Sequence, residues 1–399
     1  MASIVPVRPR LFKFVLCLFM VTRCVQGDSI CPAESYGCDR DGRPCHSSKR
    51  GDDGHGPSPG GGLRPRPSPG PAGPPPITST EDGPGDGVYP WLYDDATRYM
   101  DCLDEFQRSS DEWTGVQGWI EDHLAKLVEL QDLSNNDNGL VPATASCAQQ
   151  RPSDGTRRNY RMLGVGSGSG EIDQAILRVL LPRHPRVSTT VVEPDPSQIS
   201  MYRQLMEDSE FQGVSFEFHQ QTSADFIAGN PGNNLTYDLI HMVHVLYHID
   251  MAELEATILH YYNSLAPGGM MFIAYESDKS GLARIRGALQ PFKPGMSPYM
   301  SIGDIEKVLS GAIPAYQRDN IPGFLDVTAC LRKGPLSGRG EQLWDFISRV
   351  VNFRTNAPQA VVQRADDMLR EFSWQDDTDD ERYLTNMDTA VIIVQKGKN

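Results

Sequence analysis

The chain lacks several features that would mark a membrane-embedded, metal-binding or nucleic-acid-binding protein. Its N-terminal apolar run, Phe14–Val21, has eight residues, whereas a helix that crosses a bilayer needs about 20, so no stable membrane span is expected. The eight cysteines include no C-x-x-C pair, and no metal site is predicted. The net charge is −15, which argues against a nucleic-acid partner and favours small cationic molecules.

The first 27 residues have the layout of a secretory signal. Three basic residues precede the apolar run, and Gly27 follows in a small-residue cleavage zone. We therefore predict a signal peptide over 1–27. An uncleaved short anchor and a spurious N-terminal extension are the alternatives.

Residues 28–88 contain little that could form a hydrophobic core. Cys31, Cys38 and Cys45 are spaced seven apart, and two of them could form a disulfide in an oxidising compartment. Proline and glycine then dominate residues 46–87, which predicts a disordered linker. The composition becomes globular at Tyr89, so we predict one folded domain over 89–399.

Strand and helix patterns alternate through this domain. Two helices, broken near Ser109–Ser110 with a serine as cap, precede the buried strand "YRMLGVG". Helix and strand patterns then alternate through "EIDQAILRVLLPRH", "VSTTVVEP", "PSQISMYRQLMED" with a serine cap, "VSFEFHQ", "YDLIHMVHVLYHI", "MAELEATILHYYNSL" and "MMFIAYES". Repeated β-α units predict an α/β fold with a mostly parallel sheet. The late strand "TAVIIVQK" is expected at or near a sheet edge.

A glycine-rich loop follows the first strand, with Gly166, Gly168 and Gly170 at alternating positions. Glycines here let backbone N–H groups approach a ligand. The dinucleotide fingerprint G-x-G-x-x-G is absent, since Glu171 stands where its third glycine belongs. The shorter spacing favours S-adenosylmethionine (SAM) over NAD and weakens a dehydrogenase hypothesis, although a purely structural turn is also compatible with it.

Two further patterns lie at predicted carboxyl ends of strands. Glu193 ends the next strand, 27 residues after Gly166, where a carboxylate can accept hydrogen bonds from ribose hydroxyls. His244, Tyr247 and His248 follow a later strand and are candidates for the reacting pocket, with either histidine able to accept or relay a proton. The earlier His241 is interpreted as a core residue.

Taken together, residues 89–396 resemble the histamine N-methyltransferase family. The resemblance is carried by "VGSGSGEID", "VVEPDPSQISMY", "HQQTSADF", "YDLIHMVHVLYHI" and "QLWDFISRVVNFRTNAP". It implies a class I methyltransferase fold: a Rossmann-like, seven-stranded, mostly parallel sheet with a smaller substrate-binding region from the N-terminal helices and C-terminal insertions.

The resemblance also assigns residues. The positions matching the family's SAM contacts are Gly166, Glu193, Gln198, Ser223 and Val243. Glu112 matches the acid that holds the substrate's ammonium group, and Tyr99, Tyr247 and Phe346 match pocket walls.

Several positions depart from the family pattern on the substrate side. His244 replaces a glutamine and His248 a tyrosine, while Leu282 and Arg286 stand where two tryptophans wall the pocket. Met387 replaces a substrate-binding asparagine, so we assign that role to the adjacent Asn386. An inward Arg286 would repel an amine and favour a carboxylate.

These observations predict a SAM-dependent N-methyltransferase for a small amine or imidazole compound, with histamine as the leading acceptor. The alternatives are another small acceptor, such as a carboxylate-bearing imidazole, or a secreted amine-binding protein without turnover. A monomer is expected, although no pattern determines the oligomeric state. The N-terminus suggests the secretory pathway, whereas the family resemblance implies the cytoplasm.

Overall fold

The computed structural model describes residues 89–136, 159–230, 235–293, 298–332 and 336–398. The predicted signal peptide, the three spaced cysteines and the linker all lie outside these residues and stay predictions. None of the described helices is both long and apolar enough to cross a membrane.

A seven-stranded sheet forms the centre of the fold. The strands of the chain are β1 (Tyr160–Val165), β2 (Val187–Val192), β3 (Val214–His219), β4 (Tyr237–Val243), β5 (Leu265–Glu276), β6 (Tyr316–Ile321), β7 (Phe324–Asp326), β8 (Ser373–Gln375), β9 (Tyr383–Asn386) and β10 (Thr389–Gln395). The large sheet has the order β3-β2-β1-β4-β5-β10-β6. Its first five strands run parallel, and β10 is antiparallel to both β5 and β6. The α/β prediction is confirmed, and the late strand β10 lies next to the edge strand.

Thirteen α-helices are formed by the described residues. They are α1 (Ala96–Ser109), α2 (Glu112–Trp119), α3 (Ala125–Asn136), α4 (Glu171–Leu180), α5 (Pro196–Leu205), α6 (Ser223–Gly229), α7 (Leu254–Asn263), α8 (Gly281–Leu289), α9 (Ile302–Ala312), α10 (Thr328–Leu331), α11 (Gly338–Ser348), α12 (Phe353–Asn356) and α13 (Gln359–Glu371). A short π-helical turn, Ile120–Leu124, joins α2 to α3.

Two helix starts test the predicted serine caps. The N-cap residue of α2 is Asp111, not a serine, although the hydroxyl of the preceding Ser110 accepts a hydrogen bond from the Glu112 N–H at 3.3 Å. The predicted serine cap of α5 is wrong, because the Asp195 carboxylate accepts the Ser197 N–H at 2.7 Å. A carboxylate accepts more strongly than a hydroxyl at a helix N-terminus. The strand predicted to begin at Met270 starts earlier, since β5 includes Leu265–Glu276.

Buried side chains form three clusters. One packs α4 and the α2–α3 region on the sheet around Ile120, Ile176 and Phe272. The second contains Ile258 and Leu309, which belong to α7 and α9. The third joins α1, α8, α11 and α13 with the small sheet β7-β9-β8. This third cluster combines N-terminal and C-terminal elements, and it supplies one wall of the cavity described next.

Candidate active site

The glycine loop after β1 is built on left-handed backbone. Gly166 and Gly168 have φ values of 64° and 56°, a region that favours residues without a Cβ. A Cβ on Gly168 would meet nothing nearer than the Gln198 Oε1, 3.6 Å away, so this face of the loop is open. A Cβ on Gly170 would lie 2.5 Å from the Tyr202 ring, so close packing is by itself enough to require glycine at this position.

Glu193 connects the loop to the end of β2. Its Oε2 accepts the Gly168 N–H at 2.9 Å and its Oε1 accepts the Asp195 N–H at 3.0 Å. The residue is only 7% exposed, and this burial raises the pKa of the carboxyl while the two N–H groups lower it. A buried acceptor beside an open glycine loop fits a nucleoside with ribose hydroxyls to bind.

The other predicted cofactor residues belong to the same end of the sheet. Gln198 is half-buried on α5, and Val243 is the buried last residue of β4. The hydroxyl groups of Ser223 and Tyr261 are hydrogen-bonded at 2.8 Å. SAM binding by these side chains remains a residue-level prediction.

A cavity of about 570 Å³, counting the space open to solvent, collects most of the predicted substrate residues. Tyr99, Glu112, His244, Tyr247 and Phe346 all line it. Its remaining walls are Tyr93, Leu103, Phe106, Gln107, Ser110, Trp113, Glu276, Arg286, Arg349 and Met387.

Glu112 begins α2 and its carboxylate is buried in this cavity, with 8% of the side chain exposed. The pKa of Glu112 is raised to about 8, mainly by burial and also by the charge of Glu276, against an opposing effect of Arg286. Glu112 thus favours its neutral form until a cation binds nearby.

His244 directly follows β4 with φ at 50°, an uncommon value for a residue with a Cβ. Its N–H donates to the Ala274 carbonyl at 3.0 Å, which holds it at the carboxyl end of the sheet. Burial lowers the pKa of His244 to about 4, against an opposing effect of Glu276. Its Nε2 is buried, has no hydrogen-bond partner among the described residues, and lies 3.6 Å from the Glu112 Oε1.

Arg286 points into the cavity region, but its guanidinium is already bound. It donates to the Glu276 carboxylate at 2.9 Å and to the carbonyls of Ile347 and Phe346 at 3.2 and 3.1 Å. The expectation that an inward Arg286 would attract a substrate carboxylate is therefore corrected. Its charge is paired with Glu276 and its donors face the protein.

Two predicted site residues do not line the cavity. The Asn386 side chain accepts the Asp388 N–H at 2.9 Å, while the neighbouring Met387 faces the cavity. His248 is more exposed than His244, and its ring lies beside those of Tyr93, Tyr99 and Tyr247 at centroid distances of 5.0–6.4 Å.

The sequence patterns also missed cavity residues, above all Glu276 and Arg349. Glu276 is the last residue of β5 and is 3% exposed. Its position at the carboxyl end of a strand is a usable signal. Arg349 lies in the segment "QLWDFISRVVNFRTNAP", which carries part of the resemblance, but the resemblance assigned no role to this position.

The strand order with a reversed β10, the glycine loop after β1 and the buried acid after β2 define a class I SAM-dependent methyltransferase. A family model described as a methyltransferase domain matches residues 163–271. Histamine N-methyltransferase of Xenopus tropicalis is 31% identical over 312 residues, which cover 76% of this chain and 97% of that protein. The chain belongs to the histamine N-methyltransferase family, is a SAM-dependent N-methyltransferase, and uses SAM as its cofactor.

One further relative and one solved structure are also similar to the chain. Carnosine N-methyltransferase 2 of Gallus gallus is 30% identical over 220 residues, covering 53% of this chain and 67% of that protein. A solved structure of a SAM-dependent methyltransferase from Archaeoglobus fulgidus is 12% identical, with a TM-score of 0.34 over 60% of this chain and 87% of its own.

Proposed function

We propose that this enzyme methylates an imidazole nitrogen of a small primary amine, with histamine as the leading acceptor. The observation that carries the proposal is the buried Glu112 carboxyl beside His244, in a cavity walled by aromatic rings. Such a cavity suits a flat ring with one positively charged end.

The position of Glu112 determines which nitrogen of the acceptor reacts. A carboxylate removed from water binds an ammonium ion through a short, charge-assisted hydrogen bond. That bond keeps the amine protonated, and a protonated amine has no lone pair to attack with. An imidazole has a pKa near 6.5 and is mostly neutral at pH 7, so its ring nitrogen is the available nucleophile.

The chemistry requires alignment more than acid–base strength. SAM supplies a methyl group on a sulfonium, which is an activated leaving group. The protein's contribution is to hold the ring nitrogen in line with that methyl group and to exclude water. The aromatic faces of Tyr99, Tyr247 and Phe346 provide walls for a flat ring, and electron-rich faces favour the cationic methylated product.

His244 fits an orienting role better than the proton-accepting role predicted for it. With its pKa lowered to about 4, it is a weaker base than the product imidazole. In the tautomer that leaves its Nε2 unprotonated, His244 can instead accept a hydrogen bond from the acceptor's ring N–H, which points the other ring nitrogen at the methyl group.

A carboxylate-bearing imidazole remains the second candidate acceptor. The relative named carnosine N-methyltransferase 2 supports it, as does a second arginine in the cavity, Arg349.

The proposal is tested by incubating the purified chain with methyl-labelled SAM and histamine. Label on an imidazole nitrogen is expected, together with a KM for histamine that rises by about 30-fold or more in Glu112→Gln. Glu121→Gln, which removes an exposed acid outside the cavity lining, is the control. An enzyme that binds SAM but methylates no imidazole compound, or that labels only the primary amine, contradicts the proposal.

A further inference from the structure

Arg349 holds an unusual position at the edge of the acceptor cavity. It follows α11 in the left-handed region, with φ at 61°, and its carbonyl accepts the Leu92 N–H at 3.0 Å. Its side chain lines the cavity and the residue is 7% exposed. Left-handed backbone in a residue with a Cβ is uncommon and concentrates at functional sites.

The Arg349 guanidinium makes no ion pair with any of the described residues. Its Nε is buried and has no hydrogen-bond acceptor among them. The rings of Tyr93, Tyr247 and Tyr299 surround its Cζ at centroid distances of 5.4–5.8 Å. Aromatic faces attract a cation but do not accept its N–H groups as an anion does. A buried charge in such surroundings is costly unless an anion is supplied.

Among the described residues, the buried acid closest to this part of the cavity in the electrostatics, Glu276, already has its own partners. The carboxylate of Glu276 already accepts from Arg286, Tyr299 and Ser280 at 2.9–3.1 Å. The nearby Lys293 adds a further basic group, whose pKa is lowered to about 7, mainly by burial and also by the charges of Arg349 and Arg286. This part of the site therefore has more basic groups than acidic ones.

We propose that Arg349 binds a carboxylate of the methyl acceptor. The acceptor then carries three groups: an imidazole to be methylated, an ammonium for Glu112 and a carboxylate for Arg349. Histidine and aminoacyl-histidine dipeptides have this chemistry, whereas histamine lacks the carboxylate. This inference rests on the proposed function, because it extends the same cavity and the same reaction.

Two pairs of acceptors isolate the carboxylate. L-Histidine differs from histamine, and β-alanyl-L-histidine from β-alanylhistamine, only by that group. In the intact enzyme we expect kcat/KM to be higher for the carboxylate-bearing acceptor than for its decarboxylated counterpart in at least one pair. In Arg349→Gln this preference should fall by about 30-fold or more, mainly through KM. Arg186→Gln is the control, because Arg186 is exposed and does not line the cavity.

Each result separates this inference from the proposed function. If the decarboxylated acceptors are methylated and Arg349→Gln leaves the acid preference unchanged, the inference is overturned while imidazole methylation stands. If no imidazole compound of either pair is methylated, the proposed function fails with it. SAM affinity is measured in parallel by calorimetry. A large loss of SAM affinity in Arg349→Gln would assign this arginine to the cofactor's carboxylate and overturn the inference.

Discussion

The Oε1 atom of Glu112 lies 3.6 Å from the Nε2 atom of His244, with each side chain 8% exposed. Burial raises the pKa of the carboxyl to about 8 and lowers that of the imidazole to about 4. Near pH 7 the pair is therefore held mostly as a neutral acid beside a neutral ring. The cavity gains its negative charge when a cationic acceptor displaces the proton of Glu112.

The first prediction concerns acceptor binding and pH. Below about pH 8, an ammonium must displace a proton from Glu112, so its apparent affinity falls as the pH falls. The KM for histamine should rise between about pH 8.5 and 7, by at most tenfold per unit. In Glu112→Gln the KM should be high and nearly flat over this range. Steady-state kinetics in both proteins test this, and a flat KM in the unaltered enzyme would contradict it.

The same pKa shift predicts a change in stability. The folded chain binds the Glu112 proton more tightly than the unfolded chain, whose glutamates have pKa values near 4.3. The resulting stabilisation is fully present below that value and is lost as pH rises through about 8. Glu112→Gln should therefore melt at a higher temperature than the unaltered protein near pH 8.5, by an amount equivalent to a few kcal/mol at most. The two melting temperatures should converge near pH 4.5, and an equal difference at both pH values would refute this account.

Substitution of His244 tests whether it orients the acceptor. His244→Ala should lower kcat by about 10- to 100-fold while SAM affinity changes little, because only the acceptor loses a hydrogen-bond partner. His244→Asn should recover part of the rate, since asparagine tolerates left-handed backbone and keeps an acceptor atom. Equal losses of turnover and SAM affinity in His244→Ala would show that the residue supports the cofactor site instead.

Glu193 is expected to control SAM affinity alone. Glu193→Ala removes the acceptor predicted for the ribose and leaves the half-buried Gly168 N–H without its partner. The Kd for SAM, measured by calorimetry, should rise by about 100-fold or more. Glu217→Gln on β3 is a suitable control, because its side chain is 71% exposed. A Glu193→Ala enzyme with normal SAM affinity would remove the ribose role from this residue.

The cofactor half of the site could be predicted from sequence because its determinants are local. The glycine loop, the acid after β2 and the residues after β4 each follow a strand directly. Parallel strands bring those carboxyl ends to one edge of the sheet. A pattern a few residues long was therefore enough to place Glu193 and His244 correctly in the fold.

The acceptor half depends on contacts between distant segments. Arg349 enters the cavity because its own backbone is left-handed at the end of α11 and its carbonyl accepts the N–H of Leu92, a residue far away in the sequence. Arg286 does not have the carboxylate-attracting role expected of it, because Glu276 at the end of β5 neutralises its charge. Met387, and not Asn386, lines the cavity because neighbouring residues at the end of β9 point to opposite sides.

The last prediction concerns Gly164, which lies in β1 just before the loop. A Cβ there would fall 2.7 Å from the His241 Nε2 and 2.8 Å from the Asp173 Oδ1, two side chains that are at most 1% exposed. Asp173 is also fixed by the Tyr202 hydroxyl at 3.0 Å, so the group cannot move aside cheaply. Gly164→Ala should destabilise the fold by about 1–3 kcal/mol in urea unfolding. Gly287→Ala is the matched control: an added Cβ meets nothing within 4 Å in α8, and it should stabilise by about 0.5–1 kcal/mol. Similar urea midpoints for the two variants would show that β1 tolerates a side chain at position 164 and that the buried Asp173 and His241 side chains can move aside.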